Sequence, residues 1–173
     1  MELKRVYPTT IQSGASQTGN YLLTLLEPEG GIQVPIIIGQ SEAQSILLAK
    51  EGVATRRPMI HEVVMNILDA YGLGLERVTI DRVVEGVFYA TLHLSDGFNE
   101  KQIDSRSSDA ITLALYHNTP ILMSESVLEE TGVKAEKPEL KIEDLEKELR
   151  RCEEAEDYER AAEIQRQIER MRG

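Results

Sequence analysis

The chain has no tryptophan, two phenylalanines and a single cysteine in 173 residues. Each shortage removes a class of function. So few large aromatics leave little from which to build a stacking platform for single-stranded nucleic acid. Cys152 alone cannot form an internal disulfide, which fits a reducing compartment. No apolar run approaches the roughly 20 residues that a membrane helix needs. The opening Met1-Glu2-Leu3-Lys4-Arg5 lacks the apolar core of a secretory signal, so the expectation is a cytoplasmic protein with no membrane contact. Positive charge is short as well: 19 Lys and Arg face 30 Asp and Glu, a formal net charge of -11. That balance argues against coating nucleic acid by bulk electrostatics. It leaves room for clustered carboxylates that recruit phosphate through bound divalent ions. A Walker loop, a dinucleotide fingerprint, zinc-type Cys/His spacing and a nucleophile elbow are all missing.

What remains is 41% apolar and 28% charged, enough for one domain with a core and a polar appendage. The composition changes at residues 134–138. Glycine then disappears until Gly173, and Ala135 to Gly173 holds thirteen acidic and nine basic residues. The expected organisation is an α+β domain over 1–134 and a helical hairpin over 135–173.

In the first part, Leu3 to Val6 reads as a strand and residues 14–19 as a loop. Tyr21 to Leu26 and Ile32 to Ile38 read as two strands joined at Glu27 to Gly31, with Pro35 marking an edge or a bulge. Ser41-Glu42-Ala43-Gln44 has the form of a capping box for a helix that Gly52 closes. Pro58 opens a second helix, with Ile60, Val63, Val64, Ile67, Leu68 and Tyr71 as its buried stripe and Gly72 at its exit. Alternation at Val78 and Ile80, then from Phe88 to Leu94, predicts two strands about Glu85-Gly86. Asp96-Gly97 signals a two-residue hairpin into a strand over Phe98 to Asp104. A helix capped by Ser107 or Ser108, a strand over Pro120 to Met123 and a short helix over Glu125 to Glu130 complete the domain. The fold class that follows is a mixed, largely antiparallel sheet with helices packed on it.

In the second part, Ile142, Leu145, Leu149 and Cys152 keep helical spacing, as do Tyr158, Ala161, Ala162, Gln165 and Ile168, with Asp157 placed to cap the second helix. Two such short helices bury too little to stand alone, so a partner surface is expected. Leu145 to Leu149 followed by Ala155-Glu156-Asp157-Tyr158-Glu159-Arg160-Ala161-Ala162-Glu163-Ile164 resembles the UVR motif, a helical hairpin of nucleotide-excision proteins and some protease adaptors. The resemblance departs at Gln165-Arg166-Gln167. It implies a docking role for residues 139–171, commonly onto another UVR motif, and no chemistry.

Chemistry is expected at two strand-to-helix turns, Gly39 to Glu42 and Asp104 to Asp109. Both expose free backbone N–H groups beside acidic and hydroxyl side chains. If the turns converge, Glu42, Asp104 and Asp109 supply the hard oxygen ligands that Mg²⁺ or Mn²⁺ prefers, and Arg106 contacts phosphate. The same residue types also simply cap helices. His61, beside the buried stripe of its helix, is a candidate for proton transfer or a hydrogen-bonded core residue. His93, on the polar side of its strand, and His117, at a helix end, carry no functional expectation; Arg56-Arg57 is an exposed basic pair.

These segments resemble the bifunctional nuclease domain family. The matching stretches run from Pro35 to Ala43, Arg57 to Glu62, Val87 to Leu92 and Ile103 to Ile111, in order, within a resemblance over about residues 3–132. The resemblance implies an α+β fold, a homo-oligomer with a dimer favoured, and the DNase and RNase activity known for some plant members. Its motifs carry over Glu42, His61, Asp104, Arg106, Ser108 and Asp109, and Ser107 stands where the family usually has proline. Two functions are therefore expected in parallel. One is a metal-dependent nuclease with Glu42, Asp104 and Asp109 on the metal and His61, Arg106 and Ser108 at the phosphate. The other is a non-catalytic adaptor that oligomerises through the main domain and recruits a UVR-containing protein.

Overall fold

The computed structural model describes residues 2–14 and 19–134, with Gln165 as an isolated further position. The anticipated hairpin with its UVR-like segment, and most of the loop after Ser13, lie outside the described residues. Elements follow in the order β1 (Leu3–Ser13), β2 (Tyr21–Glu27), β3 (Ile32–Ile38), α1 (Gln40–Lys50), α2 (Ile60–Ala70), β4 (Gly74–Val84), β5 (Val87–Ser95), β6 (Glu100–Arg106), α3 (Ser107–His117), β7 (Ile121–Ser124), α4 (Glu125–Thr131) and β8 (Val133–Lys134). The eight strands form one mixed sheet in the order β6-β5-β4-β7-β1-β2-β3-β8, with β4 and β7 parallel and every other pair antiparallel. The α+β class expected from the alternation is what forms. Among the described residues no helix is long and apolar enough to cross a membrane.

β1 is longer than expected because a proline did not end it. Leu3 to Val6 pairs with β7, and Tyr7 to Ser13 continues onto β2 with a register shift between Pro8 and Thr10. That irregularity accommodates a residue with no N–H to give the ladder. β1 thus joins two half-sheets. β3 and β5 lie on opposite sides of it, with β4, β7, β1 and β2 between them. Period-two burial fills the core from both halves: Leu23, Leu25, Val34, Ile36 and Ile38 from one, Val78, Ile80, Ala90, Leu92 and Leu94 from the other. Pro35 sits where β3 has already lost its outer neighbour, since β8 pairs only with Ile32 and Gln33.

α3 packs against α1 and α2 as well as β4, β5 and β6. It buries Ala110, Ile111, Leu113 and Ala114 with Thr112, whose hydroxyl donates to the Ser108 carbonyl at 2.7 Å. Several local expectations are corrected. The residues before the helices are extended strand ends, so the N-caps are Gly39 and Arg106, and Ser41, Ser107 and Ser108 fall inside the first turns without capping bonds. α2 buries His61 and Met65, with Val64 and Leu68 against the core, while Ile60, Ile67 and Tyr71 are exposed. The helix is therefore rotated about one residue from the stripe its apolar spacing suggests. Asp96 to Asn99 form a four-residue loop, in which the Asp96 carboxylate accepts from the Phe98 and Asn99 amides, and β6 starts only at Glu100. The two-residue β8 is an addition to the expected strands.

Candidate active site

Three helices carry an acidic residue at the third position after the N-cap: Glu42 in α1, Glu62 in α2 and Asp109 in α3. There a carboxylate meets the positive end of the helix dipole and can reach back to the N-cap amide. Glu62 does this, accepting from the Met59 amide at 2.8 Å. Glu42 and Asp109 instead turn to one guanidinium. Arg106 donates from Nε and Nη2 to the two oxygens of Asp109 at 2.7 and 3.1 Å, and from Nη1 to Glu42 Oε1 at 3.0 Å. The two strand-to-helix turns singled out from the sequence do meet.

His61 stands behind this cluster. Its Nε2 lies 3.2 Å from Asp109 Oδ1, the residue is 8% exposed, and its buried Nδ1 has no partner among the described residues. Burial pushes the Asp109 carboxyl up, but the hydrogen bonds and charge of Arg106 and His61 outweigh it and hold it below its ordinary value of 3.8. The same contacts raise Arg106. Glu42 Oε2 curls over the start of α1, where a Cβ added to Gly39 would come within 2.6 Å of it. Glycine there leaves the carboxylate free to face Arg106.

The cluster borders a pocket of about 250 Å³. Part of its lining is polar: Gly39, Glu42, Arg106, Ser107 and Ser108. The rest is apolar, from Ile36, Ile37 and Ile38 of β3 and from Val87 and Phe88 beyond Gly86. Strands five places apart in the sheet thus line one small space, so the sheet must curl to bring them together.

Not every expected site residue arrives. Asp104 is exposed on β6 opposite Thr91, and among the described residues its side chain makes no ion pair or hydrogen bond. Among those residues no three His, Cys, Asp or Glu side chains are grouped to hold a metal ion. As placed, Glu42 and Asp109 suit an arginine clamp better than a divalent cation, which would have to take their oxygens from Arg106. His61 is not among the residues lining the pocket; Ser108 is. Gly39 belongs to a turn where chemistry was expected; the apolar wall carries no chemical signature in the sequence and was not among the expected site residues.

The wider comparison is with known proteins. A family model described as "Bifunctional nuclease domain" matches residues 23–136, the stretch that contains every element lining the pocket. The chain belongs to the bifunctional nuclease domain family. Among similar proteins, an uncharacterized protein of Mycobacterium tuberculosis (strain H37Rv) is 37% identical over 112 residues, 65% of this chain and 66% of that protein. "Bifunctional nuclease 1" of Oryza sativa subsp. japonica is 25% identical over 134 residues, 76% of this chain and 40% of the rice protein. "Bifunctional nuclease 1" of Arabidopsis thaliana is 27% identical over 112 residues, 63% of this chain and 34% of its own length. This bifunctional nuclease domain chain thus spans less than half of the named plant nucleases.

A second polar cluster in the same domain has a structural role. His93, placed on a polar strand face by its alternation, is 7% exposed. Its Nδ1 lies 2.8 Å from Glu100 and 3.0 Å from Arg77, and its Nε2 lies 3.0 Å from the Thr79 hydroxyl. Both ring nitrogens are satisfied, and the His93 hydrogen bond and nearby Arg77 hold Glu100 below its ordinary range. The network ties β4, β5 and β6 together.

Proposed function

We propose that the pocket at the start of α3 binds a phosphate group of nucleic acid and hydrolyses its phosphodiester bond. The observation that carries this reading is the diversion of two helix-start carboxylates, from separate helices, onto Arg106 at the mouth of a pocket. A guanidinium has five N–H donors. Three are used on Glu42 and Asp109, so two remain for a phosphate. Ser107 and Ser108, which open the first turn of α3, line the same pocket and bring hydroxyls and first-turn amides to it. Glu42, at the pocket wall, is the carboxylate placed to take a proton from an attacking water. Asp109 fixes the guanidinium plane through two bonds, and His61 fixes Asp109; His61 is a positioning residue in this scheme. The nuclease names of the plant relatives support the reaction class.

Dependence on Mg²⁺ or Mn²⁺ through Glu42, Asp104 and Asp109 is a separable part of the proposal, because it requires a carboxylate to leave Arg106. Digestion of plasmid DNA and of RNA by the full chain, with Mg²⁺, Mn²⁺ or EDTA, tests both parts. Cleavage lost in Arg106→Ala and Asp109→Ala supports the site. Cleavage unchanged in both variants assigns the activity to a contaminant.

A second reading has one observation in its favour. Ile60, Ile67 and Tyr71 form an exposed apolar stripe along α2, 67%, 52% and 79% exposed. An adaptor that self-associates through such a face, and recruits a UVR-containing protein through residues 139–171, needs no cleavage. The digestion assay separates the two.

A further inference from the structure

We infer that the pocket takes one nucleoside bearing a terminal phosphate, as a free mononucleotide or as the end of a strand, and not the uninterrupted backbone of a duplex. The inference deepens the nuclease reading, in which a phosphorylated nucleoside or strand end is what phosphodiester cleavage leaves in the pocket, and rests on that reading only for how this end is made.

The phosphate end is built by more than a helix terminus. Ser107 and Ser108 are 8% and 7% exposed, and both line the pocket. Among the described residues neither hydroxyl has a hydrogen-bond partner. Nor is either oxygen sealed away, since His61 Nδ1 is the unpartnered side-chain polar atom found fully enclosed there. Two nearly buried hydroxyls therefore keep unused bonding capacity facing a small space, a cost that a ligand oxygen relieves. Arg106, with two free N–H groups, and the opening amides of the 11-residue helix α3 border the same space.

The remaining lining suits something apolar. Ile37 and Val87 are 73% and 57% exposed, and with Ile36, Ile38 and Phe88 they wall the pocket. Inorganic phosphate has no use for that wall. A base and sugar do, through apolar contact and the face of an aromatic ring.

Size and charge favour a short ligand. About 250 Å³ falls just below the roughly 300–1,000 Å³ of ordinary small-molecule sites. Non-specific strand grooves track on the order of four or more nucleotides with a row of cations. Among the described residues Arg106 is the single cation lining the pocket, and residues 1–134 hold seventeen acidic against ten basic side chains. One phosphate can be met; a series of them is repelled.

The test is calorimetric titration of the full chain with AMP, dTMP, adenosine and inorganic phosphate, with a cleavage assay beside it. AMP or dTMP is expected to bind at least tenfold tighter than adenosine or inorganic phosphate. Ile37→Asn, at an exposed position, should weaken the nucleotide at least tenfold and leave inorganic phosphate unchanged. Ser107→Ala with Ser108→Ala should weaken both. Competition by a 5′- or 3′-phosphorylated oligonucleotide, but not by its unphosphorylated twin, assigns the site to strand ends; competition by mononucleotides alone assigns it to free nucleotides. Nucleotide binding no tighter than phosphate, or unaffected by Ile37→Asn, overturns the inference. Circular strands cut as fast as linear ones, with no inhibition by AMP, would remove the inference and keep the hydrolysis. Tight AMP binding with no cleavage would do the reverse.

Discussion

Arg106 Nη1 and Glu42 Oε1 meet at 3.0 Å across 64 positions of sequence. With the two bonds to Asp109, this contact neutralises a cation beside two carboxylates that would otherwise repel each other. Arg106→Ala is expected to lower cleavage by about 10²-fold or more, the usual cost of losing a donor that meets developing charge. The Arg106 side chain is 67% exposed, so stability should change by no more than about 1 kcal/mol. Thermal unfolding together with steady-state kinetics checks this. A large loss of melting temperature would show that Arg106 holds the fold instead.

Gly39→Ala tests the Glu42 side of the clamp. The added Cβ meets the end of a flexible side chain, and the backbone there is ordinary extended chain at φ -80. The fold should survive, with a stability change within about 1 kcal/mol. Glu42 must swing aside, so the variant should match Glu42→Gln in activity rather than the wild type. Full activity in Gly39→Ala would show that Glu42 is not needed where it lies.

The pH dependence follows from Asp109. Its native pKa lies below the ordinary 3.8, so the folded chain binds its proton less readily than the unfolded chain. Its contribution to stability is complete above the unfolded value and is lost as pH falls through the lower native one. The stability gap between the wild type and Asp109→Asn should be constant above about pH 5 and shrink below 3.8. Denaturant unfolding across that range measures it. A gap that widens on acidification contradicts the assignment.

The α2 stripe makes a prediction of its own. If the domain self-associates through Ile60, Ile67 and Tyr71, then Ile67→Glu should shift the species seen by light scattering toward the monomer. The melting temperature should not fall by more than a few degrees, because Ile67 is 52% exposed. An unchanged mass moves any association to another face.

The strands were legible wherever one face is buried. β2, β3 and β5 alternate because their inner residues fill the core, and period two shows directly in the sequence. The helix starts were less so. Serines at 41, 107 and 108 have capping chemistry, yet the caps fall on Gly39 and Arg106, where strands end and geometry decides. α2 misled for a related reason: its apolar spacing fits two faces, and α3 selects the one with His61 and Met65. At the site, the Arg106–Asp109 pair follows from i, i+3 spacing on one helix start. The Glu42 contact and the apolar wall depend on the curl of an eight-stranded sheet, which no local pattern encodes. Asp104 shares the acidic motif but sits on an exposed strand, two residues short of the turn that counts.

A helix enclosed on nearly every side, as α3 is from Ser107 to Ala114, has no room to roll. The backbone that carries Arg106 and Asp109 is therefore set by the interior of the domain, and a change deep in the core behind α3 reaches the surface as a displaced guanidinium.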